Sequence, residues 1–156
     1  MTDATIKQRL IAKIGAGSLA LLVPLVMFFE GTVTKTYKDP IGVITACVGH
    51  TGPELKIGQT FTPEQCQEML YADLLKHSSD IDCIKRPLTD GQKAAFISFG
   101  FNVGKEKLCK STLAKRANAG DMVGACNELM RWTLAGGKEL PGLVKRREAE
   151  RKLCLT

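Results

Sequence analysis

"VMFFEGTVTKTYKDPIGVITACVGHTG", residues Val26 to Gly52, joins two unlike kinds of chain. Its left edge closes an uncharged apolar run, and its right part sets Glu30, Asp39, Thr45 and His50 at close spacing among turn-forming residues. "DPIG", Asp39 to Gly42, has the residue types of a type I turn: Asp first, Pro second, Gly fourth. Thr36 to Lys38 and Ile41 to Val48 on either side read as two short strands, so the stretch predicts a hairpin. On the returning strand Val43, Thr45 and Cys47 share one face, and Ile44, Ala46 and Val48 the other.

Beyond the hairpin, "GHTGPELKIGQT" is turn-rich, with room for one more short strand, and from Thr62 the pattern is helical. "TPEQ" is a capping box, with Thr62 as N-cap, Pro63 at the first helical position and Gln65 reaching back. That helix is expected to run to about Ser78 with Met69, Leu70, Leu74 and Leu75 inward. "TDGQ", Thr89 to Gln92, repeats the signal and opens a helix through Ala94, Phe96, Phe99 and Phe101 that stops at Gly104. Shorter helices are expected around Ser111 to Ala119, Asp121 to Trp132 and Leu143 to Leu153. A strand-rich patch followed by helices is an α+β pattern.

The 156 residues suffice for one domain with a real core, or one domain and a short appendage. The net charge is +6 and the pI about 9.1. That suits an anionic partner such as nucleic acid, a lipid surface or a bacterial cell wall, and equally a protein with extra lysines on its solvated face. Cys47, Cys66, Cys83, Cys109, Cys126 and Cys154 all follow the apolar run. They form no C-x-x-C pair, and His50 and His77 complete no zinc spacing. An even number of cysteines behind a membrane signal points to three disulfides in an oxidising compartment.

Lys7, Arg9 and Lys13 precede Ile14 to Phe29, sixteen residues without a charge. As a helix that run spans roughly 24 Å, against about 30 Å of bilayer hydrocarbon. It also carries Gly15, Gly17, Ser18 and Pro24. A cleaved signal peptide needs a small-x-small site after the run, and "LVMFFEGTV" offers none. A short permanent anchor, an uncleaved anchor that can leave the membrane, and a buried helix of a soluble domain remain. The last two are compatible, because a segment that leaves the bilayer must bury its apolar face in its own domain. The basic flank keeps the N-terminus in the cytoplasm and sends the rest outward.

Glu30 ends this run beside Phe28 and Phe29, near the negative end of a helix dipole, and Gly31 follows as a helix stop. That setting favours a neutral carboxyl, as a general acid requires, although a polar stop at the membrane edge would also read this way. Asp39 at the turn lies among hydrogen-bond donors that favour its ionised form. Two carboxylates with opposed environments point to glycoside hydrolysis.

Glu30, eight residues, Asp39, five residues and Thr45 resemble the catalytic Glu-x8-Asp-x5-Thr arrangement of the phage-type lysozymes, the muramidase endolysins of glycoside hydrolase family 24. "YKDPIGVITACVGHTG" is similar to that family's hairpin, "SFGFNVG" at Ser98 to Gly104 to its cleft helix, and "RWTLAGGKELPGLVKRREAE" at Arg131 to Glu150 to its C-terminal signature. The apolar start resembles the signal-anchor-release subgroup. The resemblance implies an α+β, lysozyme-like fold with a small β-hairpin lobe and a larger helical lobe. It implies a signal-anchor helix over residues 1–29 and a catalytic domain over 30–156.

The implied activity is hydrolysis, with inversion, of the β-1,4 bond between N-acetylmuramic acid and N-acetylglucosamine, without metal or cofactor. Glu30 would be the acid, Asp39 would handle water or stabilise the cationic transition state, and Thr45 would hold the water. Phe101, Asn102 and Thr112 are implied substrate contacts. Arg131 and Trp132 read as structural, and "KRREAERK" at 145–152 as a solvated helix face. Cys47 stands where many members have a glycine. With that family in view, the expected disulfides are Cys47 with Cys66, Cys83 with Cys109 and Cys126 with Cys154. The implied partners are peptidoglycan and, before release, the inner membrane; the implied location is that membrane and then the periplasm, as a monomer. A lytic transglycosylase acting on the same bond, or a non-catalytic wall-binding relative, remain as alternatives. Nucleic-acid binding rests on charge alone and fits poorly with an export signal.

Overall fold

Gly15 breaks the N-terminal segment in two. The computed structural model describes residues 3–156, and in it helix α1, Asp3–Ile14, meets helix α2, Ala16–Glu30, at a bend of 111°. Gly15 takes φ +88°, a left-handed conformation that L side chains rarely adopt. The basic flank is therefore not a loose leader but a helix packed against α3, Pro63–His77. Among the described residues no single helix is long and apolar enough to cross a membrane, although this bent pair passes that test together.

Both helices enter the core. Leu10, Ile14, Leu19, Leu22 and Val26 are buried together with Leu70 and Leu74 of α3 and Ala94 and Ile97 of α4, Asp90–Val103. Burying those five N-terminal side chains contributes on the order of 10 kcal/mol. Helix α4 is buried all round from Ala94 to Gly100, where its sequence is apolar apart from Ser98. Its other face, with Ala95, Phe96 and Phe99, closes a second core with the C-terminal helices α5 (Lys105–Lys110), α6 (Thr112–Asn118), α7 (Met122–Glu128) and α8 (Pro141–Cys154). Both expected capping boxes form: Thr62 with Gln65 before α3, and Thr89 with Gln92 before α4. Helix α5 was not expected. Nor was the small hairpin of β4 (Leu134–Ala135) and β5 (Lys138–Glu139).

The β-lobe is a three-stranded antiparallel meander of β1 (Val33–Lys38), β2 (Ile44–Cys47) and β3 (His50–Thr51). Strand β1 is longer than expected, because Thr34 and Thr36 also pair with the chain at Gln59 and Phe61. Strand β2 starts later, since Ile41 lies in the turn and is 84% exposed. The alternation expected along β2 does not sort inside from outside: Thr45, Ala46, Cys47 and Val48 are all buried. Cys47 takes φ +57°, so the strand leaves its pleat there. That left-handed backbone accounts for the glycine that the family resemblance places at this position.

The disulfides are Cys47–Cys66, Cys83–Cys109 and Cys126–Cys154, the expected pairs. The first ties β2 to α3, the second fastens the segment before α4 to α5, and the third clamps α8 to α7. Cys126 and Cys154 lie 28 residues apart, and a loop of that size stabilises by about 3.5 kcal/mol. The double replacement Cys126→Ala/Cys154→Ala is expected to lower unfolding free energy by about that amount in urea titration.

Candidate active site

Glu30 is the last residue of α2, and Gly31 stops the helix, its N–H bonding the carbonyl of Met27. Phe28, expected to shield the carboxyl group, instead points to solvent at 79% exposure. The decisive neighbour is a cation: Arg146 of α8 donates from Nη1 to Glu30 Oε2 at 2.6 Å. The Arg146 guanidinium also lies over the Phe29 ring, 5.9 Å from its centroid. The other oxygen of Glu30, Oε1, faces Gly49, where a Cβ would come within 2.8 Å of it. Gly49 has φ +65°, so both its backbone and its missing side chain suit it to this place.

Arg146 is itself held rigidly. Its Nη2 donates to the carbonyl and hydroxyl oxygens of Ser98 at 3.2 and 3.3 Å, and its Nε to Glu150 Oε2 at 3.5 Å. Glu150, wholly buried, also accepts from Ser98 Oγ at 2.6 Å and from Arg147 Nη1. Arg147 donates onward to the Trp132 carbonyl at 2.9 Å and to Asn102 Oδ1, and stacks over Phe99 at 4.9 Å. Burial lowers the affinity of the Arg147 guanidinium for its proton.

These contacts overturn the reading of "KRREAERK" as a solvated face, since Arg146, Arg147 and Glu150 are buried. At i,i+3 and i,i+4 spacing they look like ordinary surface helix pairs. The available signal was Cys154: a cysteine bonded into the core fixes the inward stripe of α8. Counting back along that stripe reaches Glu150, Arg147 and Arg146.

Asp39 is fixed by its own turn. Its Oδ1 accepts from the N–H groups of Ile41 and Val43 at 3.0 and 2.8 Å, and its carbonyl accepts from Gly42 N–H at 2.9 Å. Thr45 is buried at the middle of the sheet, opposite Tyr37 on β1 and Thr51 on β3. Val43 links the two, because its carbonyl accepts the Thr45 hydroxyl at 3.1 Å. The structure thus joins Asp39 to Thr45 through one peptide, and sets Glu30 against the Gly49 turn at the end of the same strand.

The three expected substrate contacts are not brought together. Phe101 packs against the core of the N-terminal helices, with its ring 4.9 Å from that of His77. Asn102 is bound by Arg147 and so belongs to the network behind Glu30. Thr112 lines a cavity of about 290 Å³ with Glu128, Arg131 and Trp132, a different set of side chains. Trp132 packs edge-on against Phe99 with centroids 5.2 Å apart, and Arg131 is surface-exposed beside Glu128.

His50 secures the Gly49 turn from outside. Its Nδ1 lies 2.8 Å from Asp73 Oδ2 on α3, and its Nε2 lies 2.6 Å from Glu54 Oε1. Both carboxylates favour the imidazolium, Asp73 most, and push the His50 pKa up from 6.5 to about 9. A raised pKa stabilises the fold fully below the unfolded value and is lost as pH rises through the folded one. His50→Asn should therefore cost about 2 kcal/mol at pH 6, with Glu54 discounted for its exposure, and much less above pH 9.5. Melting temperatures of the two proteins measured across that range check this.

The phage lysozyme family model matches residues 27–150. The SAR-endolysin of Bacteriophage PS119 is 39% identical over 157 residues, which span 96% of this chain and 94% of that protein. An endolysin from Escherichia coli O157:H7 phage FAHEc1 superposes with a TM-score of 0.79 at 30% identity, covering 91% of this chain and 92% of that one. The active form of the phage P1 endolysin Lyz superposes with a TM-score of 0.80 at 26% identity, covering 99% and 94%. The hairpin with its turn, the acid at the helix end and the C-terminal segment that holds it all fall within the matched residues, and the chain belongs to the phage lysozyme family.

Proposed function

We propose that Glu30 is the general acid, and Asp39 and Thr45 the water-handling pair, of a muramidase that cuts bacterial peptidoglycan between N-acetylmuramic acid and N-acetylglucosamine. The family makes the chain a glycoside hydrolase and a lytic endolysin. One observation carries the residue roles: Arg146 holds Glu30 by Oε2 and leaves Oε1 turned toward the lobe that bears Asp39 and Thr45. A carboxyl group fixed by one oxygen presents the other in a single direction, which general acid catalysis needs.

In this reading Oε1 delivers a proton to the glycosidic oxygen as the bond to the anomeric carbon breaks. Asp39, with Oδ1 bound to two backbone N–H groups, aims Oδ2 at a water that adds to the anomeric carbon from the opposite face. The water's proton passes to Asp39, and the product sugar carries a reducing end. Thr45 positions that water through its hydroxyl group.

The N-terminal segment is the control element. Held in the inner membrane as an uncleaved anchor, α2 cannot pack on α4, and Glu30 is parted from Arg146 and Gly49. Release into the periplasm lets α2 join the core and completes the site. Two observations support this. Relatives along nearly the whole chain carry the name SAR-endolysin, and Leu19, Leu22 and Val26 of α2, which would face lipid in the anchor, are core residues here.

Glu30→Gln is expected to keep the fold and lose at least about 10²-fold in rate. Mass spectrometry of digested peptidoglycan should show reducing-end muropeptides from the wild type only. Anhydro ends would identify a transglycosylase, and unchanged products from Glu30→Gln would remove the acid from this position. For the anchor, a charge at Leu22 would also break the folded core, because Leu22 is wholly buried. Ala20 lies on the exposed side of α2, so Ala20→Arg isolates the membrane step at an insertion cost of about 2–3 kcal/mol. It should shift protein to the soluble fraction and bring lysis forward; unchanged timing and membrane retention would contradict the anchor.

A further inference from the structure

Helix α2 keeps one face out of the core, and that face has no polar side chain. Gly17, Ala20, Leu21, Pro24, Met27 and Phe28 form a continuous exposed stripe at helical spacing. An outward face of a water-soluble helix is ordinarily polar. Helix α1 lies at 111° to it. Where the two meet is an open groove of about 410 Å³, lined by Ile11, Leu19, Ala20, Val23 and Pro24. Lys7 stands at its rim, 5.6 Å from the Tyr71 ring centroid. Lys13, further along α1, is exposed beside Ser79 and Asp82. A carboxylate, Asp90, approaches the stripe at its Gly17 end and is bound by Ser18 Oγ at 2.9 Å.

We infer that this face docks the folded, active enzyme onto an anionic phospholipid surface. The α2 stripe and the groove enter the acyl region, and Lys7 at the groove's rim meets the phosphates. An apolar helix face edged by basic residues is the composition that binds an anionic bilayer in its plane. The alternative cover, a second copy of the chain, would bring two copies of Lys7 together in a protein of net charge +6. The inference concerns the state in which α1 and α2 are packed in the core, so it goes beyond the anchor-release reading and does not depend on it. An enzyme held this way works on the wall next to the membrane rather than diffusing freely through the periplasm.

Soluble, disulfide-intact, full-length protein floated with vesicles of phosphatidylglycerol and phosphatidylethanolamine tests this, with phosphatidylcholine vesicles as the comparison. The protein should float with the anionic vesicles, less so at high salt, and the bound fraction should still cleave added soluble glycan strands. Ala20→Glu and Lys7→Glu should each weaken binding about tenfold while hydrolysis of purified peptidoglycan without vesicles is unchanged. Failure to float, or binding by both variants as tight as that of the unsubstituted protein, would overturn the inference. Bound but inactive protein would show α2 re-entering the bilayer as a span, which also overturns it. So would sedimentation as a dimer that Ala20→Glu dissociates. Hydrolysis without vesicles is read separately, so loss of lipid binding leaves the muramidase assignment standing.

Discussion

Glu150 is a carboxylate with no access to water, and the arrangement of the helical lobe follows from what it must bind. A buried charge is tolerated only with partners, and Glu150 has three: Ser98 from α4, and Arg146 and Arg147 from its own helix. The two guanidinium groups are themselves buried and need further acceptors. Arg147 finds Asn102 and the Trp132 carbonyl, and Arg146 finds Ser98 and Glu30. The cluster thereby ties the end of α2 to α4 and α8. Removing one member of such a cluster leaves another buried charge uncompensated, a loss of about 3–5 kcal/mol. The same rigidity gives Glu30 a fixed direction.

Helix α4 lets one domain hold two cores. It faces the N-terminal helices with Ala94 and Ile97 and the C-terminal helices with Ala95, Phe96 and Phe99. The groups that α2 and α1 bury against it are the same groups that would favour a bilayer. Their burial in protein, on the order of 10 kcal/mol, is comparable to the whole stability of a small domain. Two features weaken the competing membrane state. Gly15 disfavours one straight span, and Pro24 leaves the Ala20 carbonyl without its helical donor. In the folded domain Ala20 is exposed, and water can serve that carbonyl.

Much of this was legible in the chain because it rests on local chemistry. Thr62 with Gln65, Thr89 with Gln92, Asp39-Pro40 before Gly42, and Gly104 after a helix are signals read within a few residues. Glu30, Asp39 and Thr45 were legible as a spacing, and their neighbours were not. Arg146 sits 116 residues from Glu30 in the chain, and a buried arginine looks like a surface one until its helix is docked. The break at Gly15 was hidden because the uncharged run from Ile14 to Phe29 reads straight through it. The face alternation on β2 failed because Cys47 leaves the pleat and because α3 covers the strand through the Cys47–Cys66 bond.

The 116-residue reach from Glu30 to Arg146 also sets an order in time. Glu30 emerges early from the ribosome, while Arg146 is made 116 residues later. That helix is clamped only when Cys126 and Cys154 have met an oxidant. A chain cut before α8 therefore has Glu30 without its cation, and a reduced chain holds α8 with less stability. Synthesis through α8 and oxidation of Cys126 and Cys154 are thus both written into the geometry around Glu30.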